Sequence, residues 1–127
     1  MNFFQRRKIL KKANFLDLTP VRTHNHEVRE DGRVNILLPR FKNEIARRML
    51  KPSKKSDHIP IKLDDKGSAI WMMLDGQIKV LEICERMKML FPEKMQPVEE
   101  TETRVTQFLS LLYQQRYISF KEIMESG

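Results

Sequence analysis

The hydrophobic pattern of this chain changes its period at Asp64, and that change most limits the possible folds. Before Asp64, apolar residues alternate with polar ones, as they do in a β-strand with one buried face. After Asp64, apolar residues recur every three or four positions, as on one face of an α-helix. A chain with strands first and helices afterwards is expected to be an α+β protein.

A tight hairpin is predicted in the strand part of the chain. The Asp-Gly pair at residues 31–32 supplies the positive-φ turn of a hairpin, and strand-like segments flank it at residues 26–30 and 33–38. A third strand is expected at residues 58–63. Because Pro60 lacks an N–H group, we expect this strand at an edge of the sheet. The alternating residues expected to face the core are Val34, Ile36, Leu38, Ile59, Ile61 and Leu63.

Three amphipathic helices are predicted after Asp64, at about residues 67–74, 80–90 and 98–115, and a last short strand at residues 117–120. The expected fold is winged-helix-like: a small antiparallel three-stranded sheet followed by a three-helix unit. The helix residues expected to face inward are Gly67, Ile70, Trp71, Leu74, Val80, Ile83, Cys84, Met87, Leu90, Val105, Phe108, Leu109 and Leu112.

We expect one domain over residues 24–120, with an insertion at residues 40–57 that contains a short helix. Residues 121–127 are expected to be a tail. Residues 1–23 form a basic, partly ordered lead-in that is too apolar for a plain linker, and within it Phe15-Leu-Asp-Leu18 is expected to be an extended segment that docks. The apolar side chains of the lead-in are Phe3, Phe4, Ile9, Leu10, Phe15 and Leu16.

The net charge of +7 is unevenly distributed, because the basic residues concentrate in the first half of the chain. Such an asymmetry permits an acidic or polyanionic partner, but charge alone favours a solubilising, partly flexible tail and loop. The two basic clusters are Arg6, Arg7, Lys8, Lys11 and Lys12, and then Arg40, Lys42, Arg47, Arg48, Lys51, Lys54 and Lys55.

Several classes of protein are excluded at this level. The longest uncharged run, residues 105–115, is too short for a membrane span, and the basic start does not open into a signal peptide, so a cytoplasmic protein is expected. One cysteine, Cys84, excludes an internal disulfide. His24 and His26 share a strand face without a third ligand at a fixed spacing. We expect no metal, no cofactor and no enzyme active site.

The stretch from Ile61 to Gly76, IKLDDKGSAIWMMLDG, resembles the PqqD family (coenzyme PQQ synthesis protein D-like). The resemblance continues through Val80-Leu-Glu-Ile83, Phe91-Pro92 and Phe108-Leu-Ser-Leu-Leu112, and it covers about residues 24–120. The family-motif residues are Asp64, Gly67, Trp71, Asp75 and Gly76. From their chemistry we expect structural roles: a helix N-cap at Asp64, a core anchor at Trp71 and a turn at Asp75-Gly76.

The resemblance implies a non-catalytic recognition element for ribosomally synthesised, modified peptides. Such a domain binds the leader of a precursor peptide and presents the precursor to a partner enzyme, commonly a radical S-adenosylmethionine (radical SAM) maturase. The leader is expected to add as a strand to the edge of the third strand, over a groove formed with the third helix.

Carried onto this chain, the resemblance places a peptide-binding edge at His58, Ile59, Pro60, Ile61, Lys62 and Leu63. It places the groove wall at Thr101, Arg104, Phe108, Leu111 and Gln115. Arg104 would pair with an acidic leader residue. Core positions for Phe108 and Leu111, and a solvated surface charge for Arg104, remain open alternatives.

The chain departs from the family pattern at three positions: Pro60 lies inside the edge, Lys79 replaces a capping Ser or Thr, and Arg116 replaces a Gly. If the ring nitrogen of Pro60 points outward, a bound peptide loses one donor. Two functions of other classes stay open. One is a winged-helix DNA-binding protein that uses the basic first half non-specifically, and the other is a homodimeric scaffold that pairs through its open edge.

Overall fold

The computed structural model describes residues 15–39 and 58–126. The elements follow in the order β1 (Pro20–Arg22), β2 (His26–Val28), β3 (Val34–Pro39), β4 (His58–Lys62), α1 (Asp65–Met72), α2 (Val80–Leu90), a 3-10 turn (Val98–Glu100), α3 (Thr101–Gln114), β5 (Ile118–Phe120) and α4 (Lys121–Ser126). The predicted α+β class is confirmed. The basic stretch of residues 1–14 and the insertion with its expected helix lie outside the described residues.

The chain divides into two compact units, and the boundary between them falls inside α1. The sheet unit consists of His24–Ser68. The helical unit takes the described residues up to Thr23 and from Ala69 onward. The single domain expected over residues 24–120 stays a prediction.

The sheet unit contains an antiparallel three-stranded sheet in which the third strand lies at an edge, as the sequence predicts, and its strand order is β2-β3-β4. Its hairpin turns at Gly32, which has φ +86. The N–H of Gly32 donates to Arg29 O at 2.9 Å, and the N–H of Arg29 donates to Arg33 O at 2.7 Å. An added Cβ at Gly32 would meet no atom within 4 Å, so the positive φ rather than space favours glycine here.

The alternating apolar residues of β3 and β4 share one face of this sheet, as predicted, but their burial is uneven. Val34, Ile36 and Leu63 are buried, whereas Ile61 is half-buried and the Ile59 side chain is 41% exposed. The burial of these side chains therefore decreases from Leu63, just after β4, through Ile61 to Ile59 near its first residue.

Asp64 caps α1, as the sequence predicts. Its Oδ1 accepts a hydrogen bond from the N–H of Gly67 at 2.7 Å, and its carbonyl accepts one from Ser68 at 2.8 Å. The Ser68 hydroxyl oxygen in turn accepts a bond from the N–H of Val34 at 2.8 Å. The first turn of α1 is thereby fixed to the central strand of the sheet unit.

The helical unit contains a second, two-stranded sheet, in which β1 pairs antiparallel with β5. The strand expected at residues 117–120 is confirmed as β5, whereas its partner β1 is not among the sequence predictions. The last residues form α4, where the sequence indicated only a tail.

Phe120 is a core residue of the helical unit. Its fully buried ring lies 5.3 Å from the rings of Phe15 and Tyr113. The predicted inward stripes of α2 and α3 are buried with two exceptions: Leu90 is exposed and Phe108 is half-buried. The buried stripe residues are Val80, Ile83, Cys84, Met87, Val105, Leu109 and Leu112.

Helix α3 ends in a Schellman motif. The N–H of Tyr117 donates to Leu112 O at 2.9 Å, and the N–H of Arg116 donates to Tyr113 O at 3.0 Å. Arg116 has φ +66, so a non-glycine residue occupies the left-handed position where the family resemblance expects Gly.

Candidate functional site

The backbone register of β4 determines which of its polar groups face outward. The N–H of Leu63 donates to Val34 O at 2.9 Å, which makes these two residues a hydrogen-bonded pair. Bonded and non-bonded pairs alternate along an antiparallel ladder. Pro60 and Lys62, which lie opposite Leu37 and Asn35, are therefore in non-bonded pairs.

A second bond supports this register. The N–H of Leu37 donates to Asn25 O at 2.8 Å on the β2 side of the sheet, so this group points away from Pro60. The backbone polar groups of Pro60 and Lys62 accordingly point away from β3. Lys62 presents an N–H and a C=O, and Pro60 presents only a C=O because its ring nitrogen carries no hydrogen.

Within the described residues, no strand pairs with this outer edge of β4. The Ile59 side chain is largely exposed and that of Ile61 is half-buried, so apolar surface accompanies the open backbone groups. The edge therefore combines backbone donors and acceptors with two apolar side chains, the requirements for pairing with an added strand. His58 belongs to the same strand, whereas the side chain of Leu63 is buried.

The residues of α3 that the resemblance places on a groove wall differ in what they offer to a ligand. Thr101 is fully buried and its hydroxyl donates to Met95 O at 3.4 Å, so its side chain presents no surface. The Leu111 side chain is 54% exposed. Phe108 is half-buried and Gln115 is exposed at the end of the helix.

Arg104 is engaged by residues that directly precede α3. Its guanidinium donates to Glu100 Oε2 at 3.0 Å and to Lys94 O at 3.2 Å, and its side chain remains partly exposed. An acidic ligand at Arg104 would compete with Glu100 for the guanidinium.

A groove of about 540 Å³ lies along α3 in the helical unit. Of its residues, Leu111 is predicted from the sequence to contact a ligand, and Phe15 is predicted only to belong to the apolar lead-in. The signal that marks this face is the absence of charge between residues 105 and 115. The groove is lined by Phe15, Thr103, Thr106, Gln107, Ser110, Leu111 and Gln114.

Trp71 in α1, and Asp75 and Gly76 in the turn after it, have structural roles. Trp71 is fully buried. The Asp75 carboxylate accepts a hydrogen bond from the N–H of Gln77 at 2.9 Å. Gly76 has φ +78, and an added Cβ would lie 3.6 Å from a methyl group of Val21, so the positive φ favours glycine there.

Cys84 is fully buried, and it is not arranged for nucleophilic chemistry. Burial, together with the nearby carboxylate of Glu102, raises the pKa of its thiol to about 11. Among residues 15–39 and 58–126, no group of three His, Cys, Asp or Glu side chains is placed to hold a metal ion. The same part of the chain contains no helix with the length and apolarity that crossing a membrane requires.

These features define a small α+β protein with an open strand edge in its sheet unit and a groove along α3 in its helical unit. Comparison with protein-family models matches residues 54–118 to PqqD, described as Coenzyme PQQ synthesis protein D. The match covers half of the chain, which therefore belongs to the PqqD family. The matched range includes β4 and α1 to α3, whereas the hairpin of β2 and β3 precedes it. Neither curated proteins nor solved structures give a match.

Proposed function

We propose that this chain is a peptide-binding adaptor that recognises the leader of a ribosomally synthesised precursor peptide by strand addition at β4. It then presents the precursor to a modifying enzyme of the radical SAM type. The observation that carries the proposal is the outward direction of the backbone groups of Pro60 and Lys62 at the sheet edge. Membership of the PqqD family supports the adaptor role.

The edge limits how a leader binds. Lys62 offers a donor and an acceptor to the added strand, and Pro60 offers an acceptor only. One carbonyl of the peptide opposite Pro60 therefore lacks a partner, which costs affinity unless water reaches it. Apolar leader residues on the core side of the added strand would pack on Ile59 and Ile61.

The family resemblance also implies leader contacts on α3 of the helical unit: an apolar contact at Leu111, and at Arg104 a charge for an acidic leader residue. Because Arg104 already pairs with Glu100, we expect its contribution to be small.

The test begins with the tagged full chain, with peptides captured from the native lysate after nuclease treatment and sequenced by mass spectrometry. The captured peptide is then synthesised with a fluorophore, and its affinity is measured by anisotropy. Lys62→Pro removes the outward donor and should weaken binding about tenfold or more. Pro60→Ala restores a donor and should strengthen binding by about twofold to tenfold.

Lys62→Ala is the matched control, because it removes the same side chain as Lys62→Pro and keeps the backbone N–H. We expect it to bind the peptide as the unmodified chain does. Equal affinities for Lys62→Ala and Lys62→Pro would refute strand addition at this edge. Far-UV circular dichroism of all variants checks that the sheet and helices are intact.

The nucleic-acid alternative has less support from α3. Glu99 and Glu100 in the preceding 3-10 turn and Glu102 in the first turn of α3 are acidic, and they suit the helix dipole but repel phosphate. Within α3, Arg104 is the basic residue, and it pairs with Glu100. Capture that disappears with nuclease would favour this alternative, and loss of a dimer in Lys62→Pro would favour the homodimeric scaffold.

A further inference from the structure

We propose that Arg29 is a positioning residue for the leader-binding edge of β4. The inference rests on the proposed function, because it concerns the same edge. Arg29 directly follows β2, and its guanidinium donates from Nη2 to Leu63 O at 2.7 Å. Leu63 directly follows β4, so this bond joins the hairpin turn to the end of the strand that is proposed to bind the leader. Both residues belong to the sheet unit.

The bond takes a place in the ladder that a backbone group ordinarily fills. The two residues of a bonded antiparallel pair exchange both N–H···O bonds. Leu63 and Val34 make one of the two, from the N–H of Leu63 to Val34 O at 2.9 Å. The N–H of Val34 donates instead to the Ser68 hydroxyl oxygen at 2.8 Å, and Leu63 O accepts from Arg29. The paired register of β4 with β3 accordingly ends one residue earlier, at Lys62.

Two side-chain bonds therefore replace one backbone bond, and the charge of Arg29 favours this exchange. A charged donor makes a stronger hydrogen bond to a carbonyl than a neutral amide does. The Asp31 carboxylate lies 3.6 Å from Arg29 Nε and holds the guanidinium from the hairpin side. The Arg29 side chain is only 24% exposed, so screening by water and salt is limited. This arrangement keeps the end of β4 from completing its pairing with Val34.

Arg29 acts on the outward groups of Lys62 through the backbone and not by contact with the leader. Leu63 O points toward β3, so the guanidinium bonds β4 on its paired side, whereas the leader adds on the other side. The C=O of Lys62 and the N–H of Leu63 belong to one peptide plane, and the C=O of Leu63 belongs to the next. A shift of Leu63 O toward Val34 therefore reorients the plane that carries the outward carbonyl of Lys62.

Removal of the Arg29 guanidinium has a defined structural consequence. It leaves the carbonyl of Leu63, a buried residue, without its donor. An unpaired buried carbonyl is costly, so we expect Leu63 O to accept the N–H of Val34 and complete the ladder. The end of β4 then moves toward β3, and the backbone groups of Lys62 leave the direction that suits an added strand. Leader affinity should fall although no residue that contacts the leader has changed.

The test compares Arg29→Met, which keeps the apolar stem and removes the donor, with Arg29→Lys, which keeps a charged donor. Anisotropy measures the affinity of the captured leader on chains that circular dichroism shows to be folded, so a role in stability alone would leave this affinity unchanged. Arg29→Met should weaken binding about threefold to tenfold, and Arg29→Lys should recover most of the loss. The matched control is Arg33→Met, which removes the same charge from an exposed residue of the same hairpin and should bind as the parent chain does.

A measurement without a ligand separates this inference from the proposed function. Scalar couplings across hydrogen bonds, recorded by NMR, should connect the nitrogen of Leu63 with the carbonyl carbon of Val34 in the parent chain. The reciprocal coupling, from the nitrogen of Val34 to the carbonyl carbon of Leu63, should be absent from the parent chain and appear in Arg29→Met.

The reciprocal coupling in the parent chain, or its absence from Arg29→Met, would overturn the inference. Equal leader affinities for Arg29→Met and the parent chain would also overturn it, as would equal losses in Arg29→Met and Arg33→Met. A parent chain that binds no leader would refute the proposed function, while the couplings would still decide whether Arg29 holds the end of β4.

Discussion

Strands β1 and β4 each contain a proline, but they differ in whether the strand side that faces away from the paired strand is hydrogen-bonded. Each contains a proline whose ring nitrogen points away from its paired strand. In β1 the bonded pairs are Thr19 with Lys121 and Thr23 with Tyr117, at 2.8 and 3.1 Å, so Pro20 faces the other side.

The far side of β1 is closed by the chain itself. The N–H of Gly76 donates to Pro20 O at 3.1 Å, and the N–H of Arg22 donates to Leu74 O at 3.1 Å. The far side of β4 has no such cover within the described residues, although Lys62 presents both a donor and an acceptor there.

The difference shows that a proline in a strand does not by itself close an edge. It removes one donor, and the remaining acceptors and donors still need partners. In β1 these partners are internal, so the strand contributes to the stability of the helical unit. In β4 they remain available to a ligand, so mutations there should affect binding more than folding.

The largest expected effect is a loss of stability on substitution in β5, the strand that pairs with β1. Phe120→Ala removes a fully buried ring from its contacts with Phe15 and Tyr113 and should lower the free energy of unfolding by about 3–5 kcal/mol. Ile59→Ala on β4 should cost about 1 kcal/mol or less, because that side chain is already 41% exposed. Urea denaturation followed by circular dichroism measures both, and similar losses would remove the distinction between the strands.

A proline substitution on each strand gives the sharpest contrast. Arg22→Pro removes the N–H that bonds to Leu74 O and should destabilise the protein by about 2 kcal/mol. Lys62→Pro removes an outward N–H and should cost less than about 1 kcal/mol. Thermal and urea unfolding of the two variants test this order. An unfolding cost for Lys62→Pro as large as that for Arg22→Pro would mean that the outer edge of β4 is already bonded.

The sequence predicts the features of this comparison that depend on local chemistry. Pro60 indicates an edge strand because it cannot donate a ladder bond, and Asp64 indicates a helix start because its carboxylate accepts an N–H bond. It left open whether the nitrogen of Pro60 points outward. That direction depends on the register with β3, which the bond from Leu63 to Val34 determines.

Strand β1, whose two sides are both hydrogen-bonded, could not be predicted from the sequence for a physical reason. β1 has three residues, too few to show an alternating pattern, and its partner Phe120 lies one hundred positions along the chain from Pro20. α4 is short and buries Ile123 as its one core side chain among those described, so no helical period is visible. Non-local pairing of short elements leaves little trace in a single sequence.

The next effect is smaller and depends on pH. Burial of the Glu122 carboxyl raises its pKa, but hydrogen bonds from the Thr19 N–H and hydroxyl, at 2.7 and 2.8 Å, outweigh burial and bring the pKa below its ordinary value of 4.5. These bonds hold the residue before β1 against α4. Glu122→Gln should therefore lower stability by about 1–2 kcal/mol at pH 7.

A carboxylate with a lowered pKa in the folded state stabilises above its ordinary pKa, and this contribution is lost as pH falls through the lowered value. The stability difference between the parent chain and Glu122→Gln should thus shrink below pH 4.5. Urea unfolding between pH 7 and pH 3 measures it, with Glu125→Gln on the exposed side of α4 as the control. A difference that is constant over this range would assign the loss to something other than the charged carboxylate.

The smallest expected effect is a gain in stability from a substitution between α3 and β5. Arg116 holds φ +66 at the end of α3, and the next residue, Tyr117, begins the pairing with Thr23 that leads into β5. Arg116→Gly removes the steric cost of this backbone and should raise the free energy of unfolding by about 0.5–1 kcal/mol. The bond from the Thr23 hydroxyl to the Arg116 carbonyl, at 2.9 Å, uses the backbone and is retained.

Gln115→Gly is the control for this last change, because Gln115 has φ −81 and a glycine there only adds freedom to the unfolded chain. We expect it to lower stability while Arg116→Gly raises it, in parallel thermal melts. If both glycine substitutions lower the free energy of unfolding, the left-handed backbone at Arg116 is not strained and does not reduce the stability of the helical unit. If Arg116→Gly alone raises the free energy of unfolding and leader affinity at β4 is unchanged, stability depends on the pairing of β1 with β5, and binding depends on β4.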